Sequence, residues 1–192
     1  NGIEIHFPLN YAVNMGVWFV HDPRTNEGGR GVFYPNSFLR HASILDGTSH
    51  TICLAEVKSY TPYYRDSRSV PTGITSLLPL CGLGDFKATS GHTEWVDGRV
   101  HQTGFTGLFT PNTKFGCVVE YDRYEADWTS SREGKTTDQP TFSAVTARSY
   151  HSGGVINAVR MDGSVGVIPS AVDVTVWQGL CTRDGGEVGD VH

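Results

Sequence analysis

Along this chain, hydrophobic positions alternate with polar ones over short stretches far more often than they recur every three or four residues. Segments rich in Val, Ile, Thr and aromatic residues run from Tyr11 to Val20, Thr51 to Val57, Gly116 to Tyr121, Ala144 to Ser149 and Val155 to Met161, and each predicts a β-strand. Helical periodicity is confined to 36–45 and 170–180, each with room for a few turns. Polar breakers separate these elements, notably NEGGRG at 26–31 and SSREGKTTDQP at 130–140, the latter polar enough for a mobile surface loop.

Two Asp-Gly dipeptides lie between strand-like flanks, and Asp-Gly supplies the positive φ angles of a two-residue hairpin turn. Around Asp97 and Gly98 the expected pairing sets Trp95 against Val100 and Glu94 against His101. Trp95 and Val100 then face inward, while His92, Glu94, Val96, Arg99 and His101 share the other face. Around Asp162 and Gly163 it sets Met161 against Ser164, Arg160 against Val165 and Val159 against Gly166, with apolar residues on both faces, as in a strand inside a sheet. A third dipeptide, Asp46 and Gly47, reads as a helix-to-strand connection.

At 192 residues one hydrophobic core suffices, so a single domain over 1–192 is expected. The 23 Gly and 9 Pro assign much of the chain to turns and reinforce the expectation of many short strands. A net charge of −5 with scattered Lys and Arg leaves no stripe to neutralise a phosphate backbone, which argues against nucleic acid. No apolar run approaches the roughly 18–20 residues that span a bilayer. The chain opens at Asn1 without Met, and a segment preceding it is expected. Cys53, Cys81, Cys117 and Cys181 have no Cys-x-x-Cys spacing, so up to two disulfides in any of three pairings, or buried thiols, remain open.

The segment HSGGVINAVRMDG, from His151 to Asp162 and Gly163, resembles the signature of a bacterial family related to type II secretion pseudopilins. That signature is a His, about nine residues, then Asp-Gly. YAVNMGVWFV at 11–20, DGTSHTICLAEVKSYTPY at 46–63, GHTEWVDGRVHQTGFT at 91–106 and VWQGLCTRDGGEV at 176–188 are similar to further family motifs. The spacer here has one residue more than the family's, a difference a strand bulge would absorb. The resemblance implies an α+β, mostly antiparallel β, pseudopilin-like domain with long loops, Asp-Gly hairpins and few short helices. It also implies a prepilin-type N-terminal helix, absent here, that is cleaved by a prepilin peptidase and is the chain's one route to the membrane. The implied role is structural or assembly work in a type II secretion or pilus-like system, at the periplasmic or extracellular face of the cell envelope. Other pseudopilin-like subunits or secreted cargo would be the partners; no cofactor is required, and no catalytic residues carry over.

Four constellations offer chemistry beyond that role. His92, Glu94 and His101 on one hairpin face present two imidazoles and a carboxylate to a divalent metal, although a solvated polar face, with Glu94 pairing Arg99 or His101, is the simpler reading. Asp184, Glu187 and Asp190 present carboxylates to calcium in a Gly-containing loop, as in some pseudopilins, although the spacing is not an EF-hand and a surface turn explains it as well. The rival to the assembly role is a secreted hydrolase of a polysaccharide or ester, either metal-dependent on the His92 face or, with His151 beside Ser152, Ser-dependent. Against it, adjacent strand residues point to opposite faces and no Gly-x-Ser-x-Gly elbow is present, so His151 reads more simply as bonding backbone near the Asp162 turn. Tyr60, Tyr63 and Tyr64 in SYTPYY offer an exposed surface for a glycan-binding module.

Overall fold

The computed structural model describes residues 6–67, 69–74, 78–114 and 116–186. Short extended segments dominate it: β1 (Tyr11–Asn14), β2 (Phe19–Asp22), β3 (Glu27–Gly28), β4 (Ile52–Glu56), β5 (Tyr63–Arg65), β6 (Asp85–Lys87), β7 (Gly104–Phe105), β8 (Gly116–Val119), β9 (Asp122–Glu125), β10 (Asp127–Thr129), β11 (Thr141–Ala144), β12 (Val155–Arg160) and β13 (Val165–Pro169). The α-helices among the described residues are α1 (Val100–Thr103) and α2 (Val174–Leu180). No helix among them is long and apolar enough to cross a membrane.

One sheet has the order β13-β12-β4-β1-β7, a second β3-β2-β11-β10-β5-β6, and β8 pairs with β9 alone. Period-two alternation sends Ala12, Ala55, Ile156, Ala158 and Ile168 of the first sheet inward, where they meet Phe105 and, from α2, Trp177 and Leu180. Helix α2 begins where the Asp173 carboxylate accepts the N–H of Thr175 (2.8 Å) and Val176 (3.2 Å), a side-chain cap for otherwise unpaired donors. The second sheet packs Tyr64, Trp128 and Ala144 against Leu80, Phe109 and Cys117. Cys117 is bridged to Cys81, while Cys53 and Cys181 remain thiols.

The two sheets join where β1 runs on into β2. Gly16, with φ of 97°, turns the chain there, and a methyl group on it would lie 2.8 Å from the Gly31 nitrogen. Met15, Val20, Val100 and Val145 form a third buried cluster at this junction.

This architecture overturns the expected α+β, mostly antiparallel, pseudopilin-like domain. The chain is mostly β, and both large sheets are mixed: β1 pairs parallel with β7, and β10 parallel with β5. The segment predicted as one strand from Tyr11 to Val20 is split between the sheets, and 36–45 holds only a 3-10 turn at His41–Ser43. Alternation reports which residues face inward but carries no information on the direction of a distant neighbour, and both parallel pairs join strands far apart in sequence.

The Asp-Gly turns divide. At Asp162 and Gly163 the hairpin forms, but Val159 faces Val165, one residue out of the expected register. Gly163 N donates to Arg160 O (3.0 Å), and Gly163 adopts φ of 85°, so the connection is a three-residue loop with a glycine bulge rather than a two-residue turn. Interior placement of β12 between β13 and β4 agrees with its apolar faces. A further irregularity puts the extra residue, Cys53, on β4, since Leu54 faces Val159 and Ile52 faces Arg160.

At Asp97 and Gly98 no hairpin forms. The Asp97 carboxylate accepts Arg99 N and the Arg99 guanidinium, both at 3.0 Å, and the chain enters α1 instead. Trp95, expected inside, is 63% exposed, and only Val100 is buried.

Candidate functional site

A groove opens where β1, β4 and β12 meet the segment 148–151. The register sets Tyr11 opposite Glu56 and Ala12 opposite Ala55, while Ala158 lies on the far side of Ala55. Because the Ala row faces the core, the neighbouring row of Tyr11, Glu56 and Asn157 faces outward. The chain is brought back over this row by Gly153 and Gly154, whose φ angles of 89° and 65° reverse its direction before β12.

His151 then lands on Glu56. Its Nε2 lies 3.0 Å from Glu56 Oε1 and 3.0 Å from Asn157 Nδ2. Asn157 donates its backbone N–H to Glu56 Oε2 (2.7 Å) and its amide to Oε1 (3.2 Å), and the Tyr11 hydroxyl reaches Oε1 at 3.3 Å. Burial raises the Glu56 pKa, but the hydrogen bonds from Asn157 and His151 outweigh it and leave the carboxyl below its ordinary value. Burial and then the Glu56 charge raise that of Tyr11.

Beneath the rim lies a second acid–base pair. Arg148 Nη1 donates to Asp127 Oδ1 at 2.6 Å, both side chains being 3% exposed, and Thr146 N reaches the same oxygen at 3.2 Å. Arg148 Nε and Nη2 are buried with no hydrogen-bond partner among the described residues. Two cavities of about 300 and about 460 Å³ share Arg148 and Tyr150 in their walls. Lys58 lines the smaller cavity with its ammonium 4.2 Å from the centre of the Tyr150 ring. Burial lowers its pKa, an effect that Glu125 opposes and Arg148 reinforces.

His151 is thus the sequence-derived signature residue that the groove uses, bonding a carboxylate rather than backbone. Asp162 and Gly163 lie at the hairpin loop, where Asp162 Oδ1 binds Ser164 N (2.9 Å) and its hydroxyl (2.7 Å). The ring of His151 meets Glu56 and Asn157, not Ser152, which leaves a Ser-activating role without geometric support.

Of the other candidates, His92 and His101 are neighbours, His92 N donating to His101 O at 3.0 Å, and the rest are dispersed. His92 and His101 are buried; His92 Nδ1 is 2.9 Å from Gln102 O, and His101 stacks on Tyr63 with ring centres 4.6 Å apart. Burial lowers both pKa values, that of His101 to about 3, with Arg99 adding to it. Without the hairpin, Glu94 is not their cross-strand partner, and among the described residues no three His, Cys, Asp or Glu side chains gather as a metal-holding group. Asp184 accepts Arg30 Nε at 2.8 Å, while Glu187 and Asp190 lie outside the described residues. Tyr63 and Tyr64 are interior, at 2% and 5% exposure, which corrects their expected place on a surface; Tyr60 alone of the three is exposed, on the groove wall.

Sequence reasoning missed Glu56, Asn157, Lys58 and Arg148. Glu56 carried one signal, a lone carboxylate at the end of the apolar run ICLAE, but its partners are 45, 95 and 101 residues away.

A family profile described as a protein of unknown function (DUF1559) matches residues 8–175. No curated protein and no solved structure matches the chain.

Proposed function

The chain belongs to the DUF1559 family of proteins of unknown function, and from that premise we propose a structural or assembly component of a type II secretion or pilus-like envelope system. It acts as a single domain at the periplasmic or extracellular face, tethered by a preceding apolar helix, and it meets other pseudopilin-like subunits or secreted cargo. The family match carries this reading. The Cys81–Cys117 disulfide supports it, because such bonds persist in oxidising compartments outside the cytoplasm. A groove whose His151 is engaged by Glu56 and Asn157 suits recognition better than turnover. No cofactor is needed for the role.

The test follows the full-length protein in a host with and without an active prepilin peptidase. Cleavage that depends on the peptidase, together with an oxidised Cys81–Cys117 pair in the envelope fraction, is expected. An uncleaved protein with reduced cysteines in the cytoplasm sinks the proposal.

A further inference from the structure

We propose that the paired cavities around Arg148 and Tyr150 bind an anionic saccharide, seating a sugar carboxylate against Lys58 and Arg123 and its hydroxyls along the Glu56–His151 row. The inference stands independently of the assembly role.

Charge comes first. The chain carries a net −5, yet the smaller cavity is lined by Lys58, Arg123 and Arg148 against Glu125 alone among acidic residues. Glu125 is also drawn toward Lys114, 3.9 Å away, outside that lining. Arg148 is paired with Asp127, but its Nε and Nη2 are buried without a partner among the described residues and leave two donors for a ligand oxygen at the cavity wall. An anion in the cavity would face the charges of Lys58 and Arg123, that of Arg148 being balanced by Asp127.

Shape and lining select the class of anion. The cavities share the Arg148 and Tyr150 wall, and their volumes of about 300 and about 460 Å³ exceed what a compact ion fills. Tyr11, Tyr60 and Tyr150 are about half exposed or more, and together with Tyr124 they line the groove with aromatic rings. Pyranose rings stack on such surfaces. The Glu56 carboxylate and the Ser59 oxygen, whose proton goes to Leu9 O (2.8 Å) or Asn10 Oδ1 (2.9 Å), supply acceptors for sugar hydroxyls. A peptide of the same charge would add to a strand edge: β4 is paired on both sides, and β9, which pairs with β8 alone, is the edge the polyglutamate comparison probes.

Isothermal titration of the purified chain with an oligogalacturonate at low ionic strength tests this, with a neutral galacto-oligosaccharide and a polyglutamate peptide beside it. Binding of the uronate, weakened at least about tenfold for the neutral sugar and about tenfold in Lys58→Ala and in Arg123→Ala, is expected. Both variants alter side chains at the groove surface, and an unchanged thermal midpoint verifies that they fold. Tyr150→Ala, which removes the aromatic wall while leaving the charge, should weaken the uronate as well. No binding of the uronate, equal binding of the neutral sugar, wild-type affinity in Lys58→Ala, or tighter binding of polyglutamate each overturns the proposal.

Discussion

Two acid–base pairs lie within four residues of each other along one segment, and they are built to opposite ends. Arg148 turns inward to Asp127 at 2.6 Å, with both groups sealed from solvent. His151 turns outward to Glu56 at 3.0 Å, and half of its side chain stays in water. The inner pair is buried, so the loss of one partner leaves the other's charge poorly solvated. The rim pair can be remade by solvent. Burial, rather than residue type, therefore separates a structural ion pair from one free to meet a ligand.

The comparison breaks most sharply at Asp127. Asp127→Ala strands the Arg148 charge in the interior and should cost about 3–5 kcal/mol in urea unfolding. A loss no greater than that of a surface substitution would place Arg148 in contact with water.

The interior titrating groups sharpen it next. His101, depressed by burial from 6.5 to about 3, contributes stability that is complete above pH 6.5 and falls away as pH drops towards 3. Glu133, raised by burial from 4.5 to about 7, acts in the opposite sense: its contribution is complete below pH 4.5 and is lost as pH rises through 7. Between pH 4.5 and 6.5 the two slopes offset. His101→Gln removes one of them, so its stability should decline with rising pH by on the order of 1 kcal/mol per unit. A flat profile in that variant would mean that Glu133 is ionised in the folded protein.

At the rim, Glu56→Gln discards hydrogen bonds from Asn157 and His151 and should cost about 1.5–3 kcal/mol near neutral pH. Because the folded-state pKa of Glu56 is lowered, the wild-type advantage exists above its unfolded value and disappears as pH falls through the folded one. Chemical denaturation at neutral and acid pH should show the two proteins converging. The smallest effect is expected for His151→Ala, below about 1 kcal/mol and reduced further by salt, as for other solvent-screened pairs.

Much of the sheet was legible in the sequence because its cues are local. The run from Val155 to Ile168 carries its own turn, and α2 carries its own cap in Asp173. The Asp97 region was misread although it has the same dipeptide, since the Asp97 side chain finds Arg99 within two residues and α1 is then held by Val100 N on Glu133 Oε1 at 3.3 Å. That second contact spans 33 residues, and no local pattern announces it. The site followed the same rule. His151 was visible through a motif, whereas its partners are joined to it only by the register of three strands.

The junction at Gly16 has a mechanical consequence. β1 sits inside its sheet, hydrogen-bonded to β4 on one side and β7 on the other, and it passes into the second sheet through backbone packed against Gly31. A pull on the chain ahead of Tyr11 would load both ladders in shear at once, and the close-packed joint has little slack through which to unzip. Tension delivered at that point would be shared by the β4 and β7 ladders before any strand could peel away.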